Sequence, residues 1–208
     1  MLDAGFRADK IICIENRFEN GETMPAPPAP NAKRNIAFIG RLRPGCEIEM
    51  LLDALTQINS ERIVPVELHV IGDGPSLDQL RTATSDRNWV TWHGEITSQQ
   101  QIEAIVSDCT IGAYPGRAGL SAIEYMRYGL ACVFADDMSY HMGPEPSHVK
   151  NGYNGWTFKA ESIDDLRDTL AVALNSDRLQ ESRVNAHSTF QEIHRMSYGD
   201  EMAKLLIG

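Results

Sequence analysis

The chain has 208 residues, 42% hydrophobic and 23% charged, and its 19 Lys and Arg against 29 Asp and Glu give a formal net charge of −10. This composition excludes a disordered or collagen-like chain and suffices for the core of one α/β domain. The acidic balance argues against a nucleic-acid partner and an anionic membrane surface, since both require a basic face, so any bound anion must be held by a few local groups.

The first predicted element is a strand at residues 10–15, Lys-Ile-Ile-Cys-Ile-Glu, followed by a polar turn. Residues 24–30 then read Met-Pro-Ala-Pro-Pro-Ala-Pro. Prolines remove amide donors and favour an extended backbone. Residues 1–30 are therefore predicted to be an arm with a proline-rich linker, and residues 31–208 a separate domain.

From residue 31 onward, short apolar runs alternate with helical periodicity, which is typical of a parallel sheet covered on both faces. Helices are predicted at residues 47–58, after capping boxes at Ser76 and Ser98, after Ser162, and from about 177 to 206. This alternation predicts an α/β fold, a doubly wound, mostly parallel, Rossmann-like sheet in a single domain. The predicted strands are residues 35–39, 66–71, 90–92, 110–114, 131–134 and 155–158.

Such sheets bind ligands at the carboxyl ends of their strands, so the glycine-containing loops there are candidate sites. In the loop at residues 115–121, Gly116 and Gly119 allow a ligand to approach the backbone. The amides of Leu120, Ser121 and Ala122 at the helix start favour a phosphate. The alternative interpretation is a tight turn in which Ser121 and the Glu three residues later form only a capping box.

The loop after the first strand contains Gly40, Arg41 and Arg43. Planar guanidinium groups suit diphosphate oxygens, although a solvated surface pair would have the same sequence. A glycine turn, Gly-Asp-Gly-Pro at residues 72–75, follows the second strand. Neither a Gly-x-Gly-x-x-Gly motif nor a Walker lysine occurs, which argues against a standard dinucleotide or P-loop site.

Seven short motifs occur in order along residues 31–208. They are Phe-Ile-Gly-Arg-Leu (38–42), Val-Ile-Gly-Asp-Gly-Pro (70–75), Trp-His-Gly (92–94), Tyr-Pro-Gly (114–116), Gly-Leu-Ser-Ala-Ile-Glu (119–124), Tyr-Gly-Leu-Ala (128–131) and Asn-Gly-Tyr-Asn-Gly (151–155). Together they resemble the carboxyl-terminal domain of family-four retaining glycosyltransferases of the GT-B fold. Residues 10–16 resemble the crossover strand that precedes that domain.

The resemblance implies transfer of a sugar from a nucleotide sugar of the UDP or GDP type to a hydroxyl acceptor, with the nucleotide sugar as substrate and no separate cofactor. It implies that an amino-terminal domain supplies the acceptor site, so the isolated chain is expected to be inactive. Arg41 would hold the diphosphate and Glu124 the ribose hydroxyls, as the catalytic pair. The other implied donor-binding residues are Gly40, Arg43, Gly72, Gly94, Ile96, Gly116, Gly119, Leu120, Ser121 and His141.

Two positions depart from the family pattern. The family's lysine, five residues after the loop arginine, falls on Cys46, so Arg43 is the expected substitute. The first Glu of the family's Glu-x7-Glu signature falls on Gly116, which leaves the identity of the sugar open. His141, in a His-Met-Gly-Pro-Glu stretch, is either a sugar or phosphate contact or a loop histidine.

Two other functions stay open. The departures at Cys46 and Gly116 are compatible with a degenerate nucleotide-sugar-binding or scaffolding module. A GT-B nucleotide-sugar epimerase would have only Glu124, His141 and Glu145 as catalytic groups. An apolar stripe in the last helix predicts packing on the amino-terminal domain or, without it, a homodimer, and a peripheral membrane contact of the full enzyme stays open. This stripe comprises Phe190, Ile193, Met196, Met202, Leu205 and Leu206.

The chain has no stretch that approaches the roughly 20 apolar residues of a membrane span, and its first ten residues lack the apolar core of a secretory signal. These features predict a cytoplasmic protein. Cys13, Cys109 and Cys132 lie in apolar runs, and neither these nor Cys46 form a Cys-x-x-Cys pair. We therefore expect buried thiols and no metal site.

Overall fold

One six-stranded sheet forms the centre of the structure, a computed structural model that describes residue 29 and residues 33–194. Its order is β3-β2-β1-β4-β5-β6, and every neighbouring pair is parallel. The strands are β1 (Asn35–Ile39), β2 (Leu68–Ile71), β3 (Val90–Gly94), β4 (Cys109–Ala113), β5 (Ala131–Ala135) and β6 (Gly155–Phe158). The doubly wound, Rossmann-like prediction is thus confirmed, and the sheet is wholly parallel.

Four helices connect consecutive strands from β1 to β5, and two further helices follow β6. They are α1 (Ile48–Ser60), α2 (Leu77–Ala83), α3 (Gln99–Val106), α4 (Ser121–Arg127), α5 (Ile163–Asn175) and α6 (Leu179–Ile193). The helix α1 packs against α5, and its buried face contains the predicted stripe from Ile48 to Ile58. The long loop between β5 and β6 contains two short 3-10 turns, Met138–Tyr140 and Glu145–His148.

Burial explains why the strands were recognisable in the sequence. The central strands β4 and β5 are buried along their whole length, so they read as continuous apolar runs. The strand β2 begins two residues later than predicted. The backbone of Val66 pairs with the Asn59 side chain, with its N–H 2.8 Å from Oδ1 and its oxygen 3.1 Å from Nδ2.

The predicted capping boxes give a mixed result. Neither Ser76 nor Ser98 makes a side-chain cap hydrogen bond, so these two predictions are wrong. The start of α2 is held by backbone instead, because the Leu77 amide donates to the Gly74 oxygen at 3.1 Å. The Ser162 hydroxyl accepts from the Asp165 amide at 3.3 Å and does cap α5.

Some predictions fall outside the described residues. These include the strand at residues 10–15, most of the proline-rich linker, Cys13 and the end of the last helix with Met196, Met202, Leu205 and Leu206. The described residues 33–190 belong to one compact unit. The predicted domain boundary and the homodimer stay predictions.

The three cysteines within the described region, Cys46, Cys109 and Cys132, are buried free thiols as predicted. Burial raises the pKa of the Cys109 thiol to about 12. No group of three or more His, Cys, Asp or Glu side chains in this region is arranged to hold a metal ion. No helix of the described residues is long and apolar enough to cross a membrane.

Candidate functional site

An open cavity of about 440 Å³ lies at the carboxyl ends of β1, β2 and β3. Three of the loops selected from the sequence meet there, and they bring Gly40, Arg41, Gly72 and Ile96 of the predicted set together. We call this cavity the glycine pocket. Its lining residues are Ile39, Gly40, Arg41, Ile71, Gly72, Asp73, Gly74, Glu95 and Ile96.

The floor of the glycine pocket is backbone packed directly on backbone. A Cβ on Gly72, which has φ of 146°, would lie 1.9 Å from the Gly40 oxygen. The Gly40 amide donates to the Ile71 oxygen at 3.0 Å, and the Gly72 amide donates to the Gly94 oxygen at 2.8 Å. These contacts hold the three loops in a fixed arrangement before any ligand binds.

A histidine pair lies on the two strands that lead into this pocket. His69 Nδ1 and His93 Nε2 are 3.1 Å apart, and His69 Nε2 is 3.9 Å from Glu67 Oε2. The Asn35 side chain donates to Glu67 Oε2 at 2.8 Å. Burial lowers the pKa of both histidines, which favours their neutral forms. His93 belongs to the Trp-His-Gly motif, but nothing in the sequence places it beside His69, so sequence reasoning did not find the pair.

The start of α4 differs from the prediction in two respects. The amide of Ala122 is not free, because it donates to the Gly119 oxygen at 3.0 Å. The capping-box interpretation is also wrong, because Leu120 occupies the N-cap position and no side chain caps the helix. Within the described part of the chain, no backbone acceptor is bonded to the amides of Leu120 and Ser121. These two N–H groups can therefore donate hydrogen bonds to a ligand.

The two departures from the family pattern contact each other. A Cβ on Gly116 would lie 2.2 Å from the Gly45 oxygen and 2.5 Å from the Cys46 carbonyl carbon. The Arg117 amide donates to the same Gly45 oxygen at 2.9 Å. The loop after β4 therefore lies directly on the loop after β1. The space that the family's first Glu would need at position 116 is occupied by backbone.

The arginines of these loops have different surroundings. Arg41 lines the glycine pocket, whereas Arg43 donates to the Pro44 oxygen at 3.2 Å and contacts the Met142 sulfur. The structure therefore does not bring Arg43 into the pocket beside Arg41. Sequence reasoning missed Arg117, which donates to the Tyr140 oxygen at 3.3 Å. Its position between Gly116 and Gly119 was the available signal.

His141 and Glu145 lie beneath the loops rather than at their surface. His141 is 8% exposed and its Nε2 lies 3.0 Å from the Ala135 oxygen, while its Nδ1 has no hydrogen-bond partner among the described residues. His141 is therefore a buried loop histidine, and its role as a sugar or phosphate contact stays a prediction. Glu145 is 5% exposed, and its Oε2 is 3.7 Å from where a Cβ of Gly119 would lie.

The predicted site residues thus fall into two groups. One group lines the glycine pocket, with Gly94 directly before Glu95 of its lining. The second group, together with its neighbours, lies in the loops after β1, β4 and β5, and we call it the loop cluster. It comprises Arg43, Gly45, Cys46, Gly116, Arg117, Gly119, Leu120, Ser121, His141, Met142 and Glu145. Glu124 lies one turn into α4.

The sequence and the fold identify the family. Residues 20–189 match the family described as "Glycosyl transferases group 1". The chain belongs to this family. No curated protein matches the chain.

Solved GT-B glycosyltransferases have the same fold. A variant of S. aureus TarM, in complex with fondaparinux, alpha-GlcNAc-glycerol and UDP, has a TM-score of 0.74 at 22% identity over 99% of this chain and 41% of its own. Anabaena Alr3699/HepE in complex with UDP gives 0.74 at 20% identity over 99% and 59%. The lipopolysaccharide outer core galactosyltransferase WaaB gives 0.71 at 20% over 99% and 58%. The chain therefore spans about half the length of these neighbours.

Proposed function

We propose that this chain is the donor-binding half of a glycosyltransferase that transfers a sugar from a UDP- or GDP-type nucleotide sugar to a hydroxyl acceptor. The observation that carries the proposal is the glycine pocket, an open cavity at the carboxyl ends of three parallel strands with Arg41 in its lining. Family membership and the complexes of two structural neighbours with UDP support it.

In this proposal the nucleotide enters the glycine pocket and its base meets the backbone of residues 94–96. Gly40 and Gly72 allow the loops of the lining to pack closely, because a Cβ would lie 2.7 Å from the Tyr114 ring at Gly40 and 1.9 Å from the Gly40 oxygen at Gly72. Arg41 binds the diphosphate, and the unbonded amides of Leu120 and Ser121 supply neutral donors to it. Glu124, in the first turns of α4, accepts hydrogen bonds from the ribose hydroxyls.

Chemistry at such a site consists of positioning and of stabilising the departing diphosphate. Charge grows on the diphosphate as its bond to the sugar breaks, so Arg41 and the α4 amides act most strongly in the transition state. Fixed backbone donors suit this role because they need no reorganisation at the moment of reaction. Retention of configuration is implied by the family resemblance.

The acceptor side of the reaction is proposed to lie on a partner domain. The chain covers 41% to 59% of the length of the neighbours described above, and a cleft needs a second wall to exclude water. We therefore expect the 208-residue chain to bind nucleotide without turning over a sugar donor. A clear transferase turnover by the chain alone would contradict this part of the proposal.

Substitution of Arg41 tests the proposal directly. Arg41→Ala is expected to weaken UDP or GDP binding about tenfold in calorimetry, as for loss of one charge-assisted hydrogen bond. Arg62→Ala is the matched control, because it removes an exposed arginine from the loop before β2, at the opposite end of the strands. Equal nucleotide affinity of Arg41→Ala and Arg62→Ala would remove Arg41 from the site.

A binding or scaffolding module is the second candidate function, and the Gly116–Cys46 contact favours it because both departures from the family pattern occur there. An assay of the chain together with its amino-terminal domain separates the two, since a sensor binds the donor without transferring sugar. An epimerase has less support, because His141 and Glu145 are buried beneath the loops.

A further inference from the structure

Two arginines approach one glycine in the loop cluster. Arg43 Nη1 lies 3.9 Å, and Arg117 Cδ lies 3.7 Å, from the point that a Cβ of Gly45 would occupy. The hydrogen bond from the Arg117 amide to the Gly45 oxygen fixes the two loops together. The two side chains therefore form one local site, although they follow different strands.

Neither guanidinium group of this site has a carboxylate within 4 Å among the described residues. The groups contact the oxygens of Pro44 and Tyr140 and the sulfur of Met142. Burial raises the pKa of the nearby Tyr140 hydroxyl, Glu47 and Glu161 raise it further, and Arg117 lowers it. Glu145 belongs to the loop cluster and Glu47 and Glu161 lie near Tyr140, but none of the three is ion-paired with Arg43 or Arg117 within the described residues.

The number of cations exceeds what the donor diphosphate requires. Arg41, Arg43 and Arg117 flank the proposed donor site in a chain whose net charge is −10, and no described carboxylate pairs with any of them. A nucleotide-sugar diphosphate carries one negative charge on each phosphate. In the proposed function Arg41 and the neutral amides of Leu120 and Ser121 bind the diphosphate, so Arg43 and Arg117 are left over.

We propose that Arg43 and Arg117 bind a second anionic group, a carboxylate or a phosphate, in addition to the donor diphosphate. The planar guanidinium fork binds both groups in a bidentate manner. The absence of a side chain at Gly116 suits this role, because a carboxylate beside Arg117 would compete for its charge. This inference rests on the proposed function and names the substrate class of the same site.

The second anionic group belongs to one of two molecules, the sugar donor or the acceptor. It belongs to the donor if the transferred sugar is a uronic acid, and to the acceptor if that molecule carries a phosphate next to the hydroxyl that receives the sugar. In the first case the anion arrives covalently attached to the nucleotide. In the second case it binds independently of the nucleotide, so the two sources can be separated by titration.

The donor source is tested by calorimetric titration of the 208-residue chain with UDP, UDP-glucose and UDP-glucuronic acid. We expect UDP-glucuronic acid to bind about fivefold more tightly than UDP-glucose, the effect of one partly exposed ion pair. Arg117→Gln and Arg43→Gln should each remove this preference, and Arg117→Gln should change UDP affinity less than about twofold. Arg62→Gln is the matched control. A chain that binds GDP instead is titrated with GDP-mannose and GDP-mannuronic acid.

The acceptor source is tested by titrating glycerol 1-phosphate into the UDP-saturated chain, with glycerol as the neutral comparison. Saturable binding of glycerol 1-phosphate that is lost in Arg43→Gln and Arg117→Gln assigns the anion to the acceptor. Unchanged melting temperatures of both variants show that the loops stay folded. Either a uronate preference or a phosphate site dependent on these arginines supports the inference.

Two results overturn the inference while the proposed function stands. The first is normal UDP binding with neither a uronate preference nor a glycerol 1-phosphate site that depends on Arg43 and Arg117. The second is a loss of UDP affinity in Arg117→Gln as large as its loss of UDP-glucuronic acid affinity, which makes Arg117 a third diphosphate ligand. If no uridine or guanosine nucleotide binds, the proposed function itself fails and the inference fails with it.

Discussion

The glycine pocket and the loop cluster solve the problem of binding an anionic ligand in different ways. The pocket is built from backbone that approaches backbone, at Gly40 and Gly72, with one arginine in its lining. The cluster is built from side chains that pack between loops, such as Arg43 and Arg117 around Gly45. The pocket thus depends on backbone geometry, whereas the chemistry of the cluster can change with its side chains.

The departures from the family pattern agree with this difference. Cys46 and Gly116 both lie in the loop cluster and contact each other, while the glycine turns of the pocket keep the motif residues. We infer that the pocket serves the part of the ligand common to the family and the cluster serves the part that varies. Three substitutions and one pH dependence test the two regions, and they follow from the largest expected effect to the smallest.

Gly72→Ala should break the glycine pocket most severely. The new Cβ would lie 1.9 Å from the Gly40 oxygen at a φ of 146°, so we expect a loss of more than about 3 kcal/mol in the free energy of unfolding. Urea denaturation measures this loss. Gly94→Ala is the control, because its φ is 73° but its Cβ would meet nothing within 4 Å, and about 1 to 2 kcal/mol is expected. Equal losses would show that backbone packing does not hold the pocket.

Gly116→Glu should disrupt the loop cluster although it restores the residue of the family pattern. Its Cβ would lie 2.2 Å from the Gly45 oxygen, and overpacking of this kind costs about 2 kcal/mol. Gly119→Ala is the matched control, because its nearest contact would be Glu145 Oε2 at an ordinary 3.7 Å. Urea denaturation compares the two variants. If Gly116→Glu is as stable as Gly119→Ala, position 116 has room for a side chain and the packed contact is not a constraint.

Glu124→Gln tests whether the Glu124 side chain binds the ligand or has only a structural role in α4. Loss of a charge-assisted hydrogen bond to the ribose should weaken nucleotide binding about tenfold. The melting temperature of the variant is measured beside the affinity, so that a loss of binding is separated from a loss of stability. Calorimetry checks the affinity, with Glu103→Gln on the exposed face of α3 as the control. Wild-type affinity would remove Glu124 from the ribose site.

Protonation of the histidine pair next to the pocket should make the free energy of unfolding depend on pH. Burial lowers the folded-state pKa of His69 and His93 below the ordinary 6.5, so the unfolded chain binds more protons. Their contribution to stability is full above pH 6.5 and is lost as the pH falls below 6.5 toward the lowered folded-state pKa values. The loss should be less than about 1 kcal/mol because both rings are partly exposed to solvent.

Urea denaturation at pH 7.5 and pH 5.5 measures this loss. The variant His69→Gln combined with His93→Gln should show a smaller difference between the two pH values than the wild type. Identical differences in the two proteins would show that the pair does not contribute to the pH dependence.

Much of the fold was predictable because parallel strands buried on both faces leave continuous apolar runs. The strands β1 and β6 have the predicted bounds. Helix capping was harder to predict. A Ser with a Gln three residues later forms a capping box only if the amides of the first helical turn have no backbone acceptor. Ser76 shows this, because its helix start is already satisfied by the Gly74 oxygen.

The glycine pocket was predictable for a related reason, since carboxyl ends of parallel strands meet at one edge of the sheet. The loop cluster was not predictable, because its contacts join residues distant in sequence. Cys46 and Gly116 were recognised as separate departures, and only the structure shows that they touch. Arg117 was not selected from the sequence, because the interpretation of its loop considered only the close ligand approach that its glycines allow. The burial of His141 depends on a loop whose path has no periodic pattern.

Tyr125 links the two regions through the sheet itself. This fully buried side chain lies over Gly112, its hydroxyl accepts from the Ile39 amide at 3.0 Å, and it donates to the Ala113 oxygen at 3.1 Å. One phenol thereby sets the spacing between the last residue of β1 and the last residue of β4. The distance between the two regions is therefore fixed before a ligand binds. A ligand long enough to contact both regions orders little of the protein, so the conformational entropy lost on binding is small.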